Sequence, residues 1–162
     1  MVLGIGNVLM TDEGVGVRAA ELLAERVPKR VRVLVPGSIG PSTVAELSGV
    51  RRLLVLDCVD QGLAPGSIVR LDPRSILDVP GSASAHEFGV RDLLVLAEHA
   101  GGAPREVLVL GVQPAGIRPG VGLSREVEAA LPVLVEAAMA TVAEWTRGRT
   151  APSRKAVRPS PG

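Results

Sequence analysis

Aromatic residues are nearly absent from this chain of 162 residues: Phe88 and Trp145 are the whole complement, and there is no tyrosine. A core must therefore be assembled from valine, leucine, isoleucine and alanine. The hydrophobic fraction of 46% is high enough to build one in a single domain. Without aromatic platforms, base-stacking recognition of single-stranded nucleic acid is disfavoured, so no nucleic-acid partner is expected. Cysteine is equally scarce. Cys58 stands alone, which excludes an internal disulfide framework and a multi-cysteine zinc site. No apolar run is long enough to span a bilayer, and no signal peptide precedes the first apolar segment. The expectation is a cytoplasmic protein with no membrane partner.

Acidic residues are missing from one end. The segment from Arg147 to Gly162 holds Arg147, Arg149, Arg154, Lys155 and Arg158 and no acid. Taking those five from 18 basic residues leaves 13 against 17 acids, so the body is near −4 although the whole chain is +1. The segment is rich in proline, serine and arginine and poor in apolar residues. It reads as a basic tail, 147–162, that does not fold, behind a single domain, 1–146.

Within the domain, apolar runs alternate with amphipathic ones. "MVLGIG", "VRVLV", "RRLLVLD", "GSIVRLD" and "REVLVLGVQP" read as strands. "RRLLVLD" is apolar almost throughout, as in a strand buried on both faces. "GSIVRLD" is shorter and suits an edge. "DEGVGVRAAELLAERV", "PSTVAELSGV", "EFGVRDLLVLAEHA" and "SREVEAALPVLVEAAMATVAEW" read as helices. The first would be capped by Thr11 or Asp12 and would present Val17, Ala20, Leu22 and Leu23 as its apolar stripe. Pro132 in the last marks a kink or an early-turn position. The alternation predicts an α/β fold: three layers, doubly wound, with a mostly parallel twisted sheet between helices on both faces.

The opening loop, "GIGNVLMTDEGVG", raises a specific question. Gly4-x-Gly6 after an apolar run suggests a dinucleotide-binding turn, but Leu9 occupies the position of the third glycine. The loop then ends in Asp12 and Glu13. Carboxylates at a helix start compete with an anionic ligand for the same positive dipole. The loop suits a cation better than a pyrophosphate.

In a doubly wound sheet, ligands gather beyond the carboxyl ends of the strands. Three polar residues belong there: Glu13 after the first strand, Asp57 at the end of the third, and His86 in "PGSASAHEFG" before a helix. Two carboxylates and an imidazole make a three-ligand metal site with open positions, acceptable to nickel or zinc. Each also has a plainer explanation: Glu13 as a helix-dipole acid, Asp57 as a turn former, His86 as an exposed loop histidine. Asp60 reads as a turn residue and His99 as a cation closing a helix. Cys58 alternates to the face opposite Asp57 and reads as a small core residue. No serine sits in a nucleophile elbow, so no covalent catalytic residue is assigned.

Four segments together, "GIGNVLMTDEGVGVR", "LLVLDCVDQGLAPGSIVRLDP", "SAHEFGVRDLL" and "VLGVQP", resemble the hydrogenase maturation endopeptidases, in order from Val2 to about Trp145. The resemblance implies an endopeptidase that removes a C-terminal peptide from the large-subunit precursor of a nickel–iron hydrogenase after nickel insertion. It implies that the nickel is supplied by the precursor, and it places Glu13, Asp57 and His86 on the family's metal-binding positions. A monomer acting on that one partner is expected. One departure stands out: where many relatives carry Asp-Gly-Gly after the second strand, this chain has Pro36, which can neither bind metal nor accept a proton. Two other readings remain open, a non-catalytic nickel-sensing or metallochaperone module and an ordinary nucleotide-binding enzyme.

Overall fold

The computed structural model describes residues 1–36, 39–72 and 89–147. Five strands form one sheet: β1 (Val2–Gly4), β2 (Val33–Leu34), β3 (Arg52–Cys58), β4 (Ile68–Leu71) and β5 (Glu106–Val112). Among the described residues four helices accompany them: α1 (Val15–Ala24), α2 (Pro41–Glu46), α3 (Val90–His99) and α4 (Arg125–Arg147). A 3-10 turn, Thr11–Gly14, leads into α1.

The strand order is β2-β1-β3-β5-β4. All pairings are parallel except β4 with β5, which is antiparallel. The short run "GSIVRLD" is thus an edge strand, and its reversed direction follows from the tight connection that brings it back beside β5. The α/β expectation holds, with a mostly parallel sheet in the middle layer.

Two apolar clusters fill the two faces, and strand alternation sorts residues between them. Leu54, Leu56 and Cys58 of β3 pack with α1 and α4 through Ala20, Leu23, Leu134 and Ala138. Leu53 and Val55 face the other way, onto Leu47 and α3 residues Leu93 and Ala97. Every one of these side chains is branched or small, and Trp145 only borders the first cluster.

Several local expectations are corrected. β2 is two residues long, Val33–Leu34, with Val35 exposed beyond its end. In α1, Leu22 is 46% exposed, while Val15 and Ala19 are buried in its place. Val17, Ala20 and Leu23 are buried as expected. Pro132 lies two turns inside α4 rather than in its first turn. Neither Thr11 nor Asp12 caps α1, whose N-cap is Gly14 with no side-chain bond.

The sheet also settles where to look for chemistry. From β1 the chain moves outward to β2, then crosses back to β3 on the other side of β1. The order reverses between β1 and β3, so their carboxyl ends open onto the crevice where doubly wound folds bind ligands.

Candidate active site

The loop after β1 is built around close backbone approach. A side chain on Gly6 would collide with the carbonyl of Glu13, and Gly6 adopts φ 143°, open to glycine alone. A side chain on Gly16, in the first turn of α1, would collide with the carbonyls of Ile5 and Leu56. The close helix–strand packing that a nucleotide fingerprint assigns to its third glycine is here performed by Gly16, seven residues after Leu9. Leu9 itself is 62% exposed. The glycines thus serve to bring Glu13 over the end of the sheet.

Glu13 is 5% exposed and Asp57 2% exposed. Asp57 is the penultimate residue of β3 rather than its end; the strand continues through Cys58. Its Oδ1 accepts a hydrogen bond from its neighbour's backbone N–H, Cys58, at 2.8 Å. Burial pushes the Asp57 carboxyl up to about 8, the Cys58 N–H opposes this, and the nearby charge of Glu13 adds to it. Among the described residues no cationic side chain pairs with Asp57. A buried carboxylate beside a second carboxylate is an arrangement that a bound cation would relieve.

Glu13 and Asp57 are therefore brought together, as expected from their strands. His86 lies outside the described residues. Among the described residues, no three His, Cys, Asp or Glu side chains form a group able to hold a metal ion.

Cys58 points to the α1–α4 face, away from Asp57, and is 5% exposed. Burial, then the carboxylates of Asp57, Asp12, Glu13 and Asp60, push its thiol up to about 12. A thiol held in that state is not a nucleophile. Asp60 is a turn residue, as read: its Oδ1 accepts from Gly62 N–H at 3.0 Å. Hydrogen bonds from Gln113 and Gly62 hold its carboxyl below the ordinary value. His99 ends α3, with Nδ1 2.8 Å from the Val95 carbonyl.

Two residues have roles that sequence reasoning missed. Asp12 is fully buried. Its Oδ2 accepts from the backbone N–H groups of Ala115 at 2.8 Å and Gly116 at 3.2 Å, and its Oδ1 from that of Ser124 at 2.6 Å. It ties the β1 loop to the segment between β5 and α4. Thr11 reinforces the tie. It holds φ 46°, a strained value for a β-branched residue, with Oγ1 donating to the Gly116 carbonyl at 3.1 Å.

Gln113, 5% exposed just after β5, does the same for the β3 loop. Its Oε1 accepts from Gln61 N–H at 2.8 Å and Leu63 N–H at 3.2 Å, and its Nε2 donates to Asp60 Oδ1 at 2.9 Å. The stretch 113–124 thus staples both carboxylate-bearing loops into one rigid rim. The available signal was a lone amide at the end of an otherwise apolar strand, in "LGVQP".

An open α/β sheet with paired buried carboxylates at its switch point defines an enzyme-like site suited to a cation or a metal-bearing ligand. Comparison with known proteins makes this specific. The model of the hydrogenase maturation protease family, HycI, matches residues 17–141. The hydrogenase expression/formation protein HupM of Azotobacter chroococcum mcd 1 is 42% identical over 149 residues, covering 89% of this chain and 71% of that protein. The hydrogenase 2 maturation protease of Escherichia coli K12 is 31% identical, covering 89% of this chain and 90% of that protein. Among solved structures, the hydrogenase maturating endopeptidase HybD of E. coli superposes with a TM-score of 0.78 at 30% identity, covering 89% of this chain and 91% of that one. The chain belongs to the hydrogenase maturation proteases, and it is a peptidase, a hydrolase. Among the described residues, no helix is long and apolar enough to cross a membrane.

Proposed function

We propose that this endopeptidase removes the C-terminal extension of a nickel–iron hydrogenase large-subunit precursor after nickel has been inserted. It recognises the nickel held by that substrate through Glu13, Asp57 and His86. The observation that carries the reading is the pair Glu13–Asp57. Two buried carboxylates at the switch point, near enough for the charge of Glu13 to help raise Asp57 to about 8, favour a ligand that brings positive charge. A precursor without metal brings none, so metal loading becomes the condition for productive docking.

The chemistry requires water to add across one peptide bond, giving a carboxylate and an amine. The substrate's nickel would supply Lewis acidity to the scissile carbonyl or to the water. The chain's own part is to hold the metal-bearing segment against the rim, which Asp12 and Gln113 keep rigid. The raised Cys58 thiol is in keeping with a cut that uses no resident nucleophile. Pro36 leaves the second-strand position without an acid, so any selectivity that relatives draw from it must come from other contacts here.

The test is a cleavage assay on the cognate precursor, loaded with nickel or free of it, read by intact mass. Loss of a C-terminal peptide from the loaded form alone supports the proposal. Nickel-dependent complex formation without cleavage would replace it with a binding module. His86→Ala should abolish processing while the thermal midpoint stays within a few degrees, as expected if the Gly/Ser/Ala-rich sequence around it is a loop. Glu13→Gln, which keeps size and removes charge, should lower processing as well. Normal rates in both variants would refute recognition through these ligands.

A further inference from the structure

The opposite edge of the sheet, at the amino ends of the strands, has a charge character of its own. An open cleft of about 800 Å³ lies there, lined by Arg30, Arg32, Arg51 and Arg52, with Val31, Val50 and Trp145 contributing apolar surface. A second hollow of about 440 Å³ continues past the Gly49–Arg51 turn to Arg105. No carboxylate lines either among the described residues. The acids of the reaction rim lie at the far ends of the same strands.

Two of these arginines are already committed. Arg52 Nε contacts Glu106 Oε2 at 2.6 Å, its Nη1 donates to the Trp145 carbonyl at 2.7 Å, and its guanidinium lies 5.9 Å from the Trp145 ring centroid. Arg32 Nη1 contacts Glu46 at 3.3 Å and donates from Nη2 to the Glu46 carbonyl. Arg30 and Arg51 have neither an ion pair nor a side-chain hydrogen bond among the described residues. The cleft therefore combines two arginines held by glutamate and carbonyl contacts with two that have no such contact among the described residues. Carbonyls at the ends of α2 and α4 take Arg32 and Arg52; among the described residues none takes the side chain of Arg30 or Arg51.

We propose that this cleft is a docking site for an acidic peptide segment of a partner protein, with apolar residues set between its carboxylates. Carboxylate chemistry is favoured because the cleft's own arginines already pair with glutamates. The valines and Trp145 provide contacts that a peptide's apolar side chains can use and a phosphodiester backbone cannot. The volume falls in the usual range for a ligand site. The chain's own 148–162 segment is excluded as occupant by charge, since it contains Arg149, Arg154, Lys155 and Arg158 and no acid. The inference is independent of the assignment of the metal-recognising rim.

The probe is a fluorescein-labelled peptide of alternating glutamate and leucine pairs, titrated against the full chain. Two signals are read: probe anisotropy, and the intrinsic fluorescence of Trp145, the single tryptophan. Expected are saturable binding that weakens steeply with salt, a change in Trp145 emission, and at least a tenfold loss of affinity in the Arg30→Glu/Arg51→Glu variant. The Arg30→Gln/Arg51→Gln variant serves if the charge reversal unfolds the chain. Undiminished binding in the variant would move the interaction to the basic tail and overturn the proposal. So would tighter, equally variant-sensitive binding of a single-stranded oligonucleotide of matched charge, or no binding at low salt.

Discussion

Asp12 offers the sharpest test of how the rim is held. Its carboxylate takes three backbone N–H donors with two oxygens. Asp12→Asn replaces one oxygen with an amide nitrogen, which must face either the Ala115–Gly116 pair or the Ser124 donor. At least one charge-assisted bond is lost and one donor meets another. Hydrogen bonds to charged groups contribute about 1.5–3 kcal/mol each. Ala115 and Gly116 are exposed, so water replaces part of what their donors lose. The expected cost is about 2 kcal/mol for Asn, rising to about 3 kcal/mol for Asp12→Ala, which removes all three acceptor contacts. For a domain of this size that is a fall of roughly 4–12 °C in thermal midpoint. Urea denaturation followed by circular dichroism gives the free energy. Native-state hydrogen exchange gives the location: the amides of Ala115, Gly116 and Ser124 should lose protection before the β3 and β5 amides do. A cost below about 0.5 kcal/mol, with those three amides still protected, would show that the segment is held by other contacts and that the carboxylate is incidental.

Three further outcomes are expected. In metal-free protein the folded Asp57 carboxyl, at about 8, lies above its ordinary value of 3.8. Its contribution to stability is therefore full below the lower value and is lost as pH rises through the higher one. Asp57→Asn should flatten that slope and stabilise the protein at pH about 9 by up to about 5 kcal/mol; parallel urea midpoints for both proteins between acid and alkaline pH would contradict the burial argument. Gly16→Ala drives a methyl group into the Ile5 and Leu56 carbonyls. It should cost about 3 kcal/mol or more, visible as loss of soluble, cooperatively melting protein. The Cys58 thiol should react with a disulfide reagent far more slowly in native protein than after denaturation, and Cys58→Ala should process precursor at the normal rate; rapid native labelling would contradict the raised thiol.

Much of the frame was written in local pattern. The unbroken apolar run of β3 announced a strand covered on both faces, and it is so covered. The alternation of strand and helix specified a doubly wound sheet, because parallel strands need crossover helices and the crossovers are right-handed. That rule alone placed Glu13 and Asp57 at one edge, since Glu13 follows β1 by a short loop and Asp57 stands at the carboxyl end of β3. That the opening loop lacks the third glycine of a dinucleotide turn was legible too, from Leu9.

What the chain's order could not convey is which partners those residues find at long range. Asp12 reads as a helix cap because caps are local, yet its donors lie 103 to 112 residues away. Gln113 reads as the end of a strand, and only folding shows it saturated by the β3 loop. Gly16 reads as a weak point in a helix until the carbonyls of two strands are seen against it. The basic edge is assembled from residues of three separate turns and the end of α4, each unremarkable alone. Periodicity and turn chemistry act over a few residues, and so the sequence by itself determined the elements, their order and the edge where chemistry belongs. Burial, the raised Asp57 carboxyl and the stapling of the rim depend on distances set by packing, and those only the tertiary structure decided.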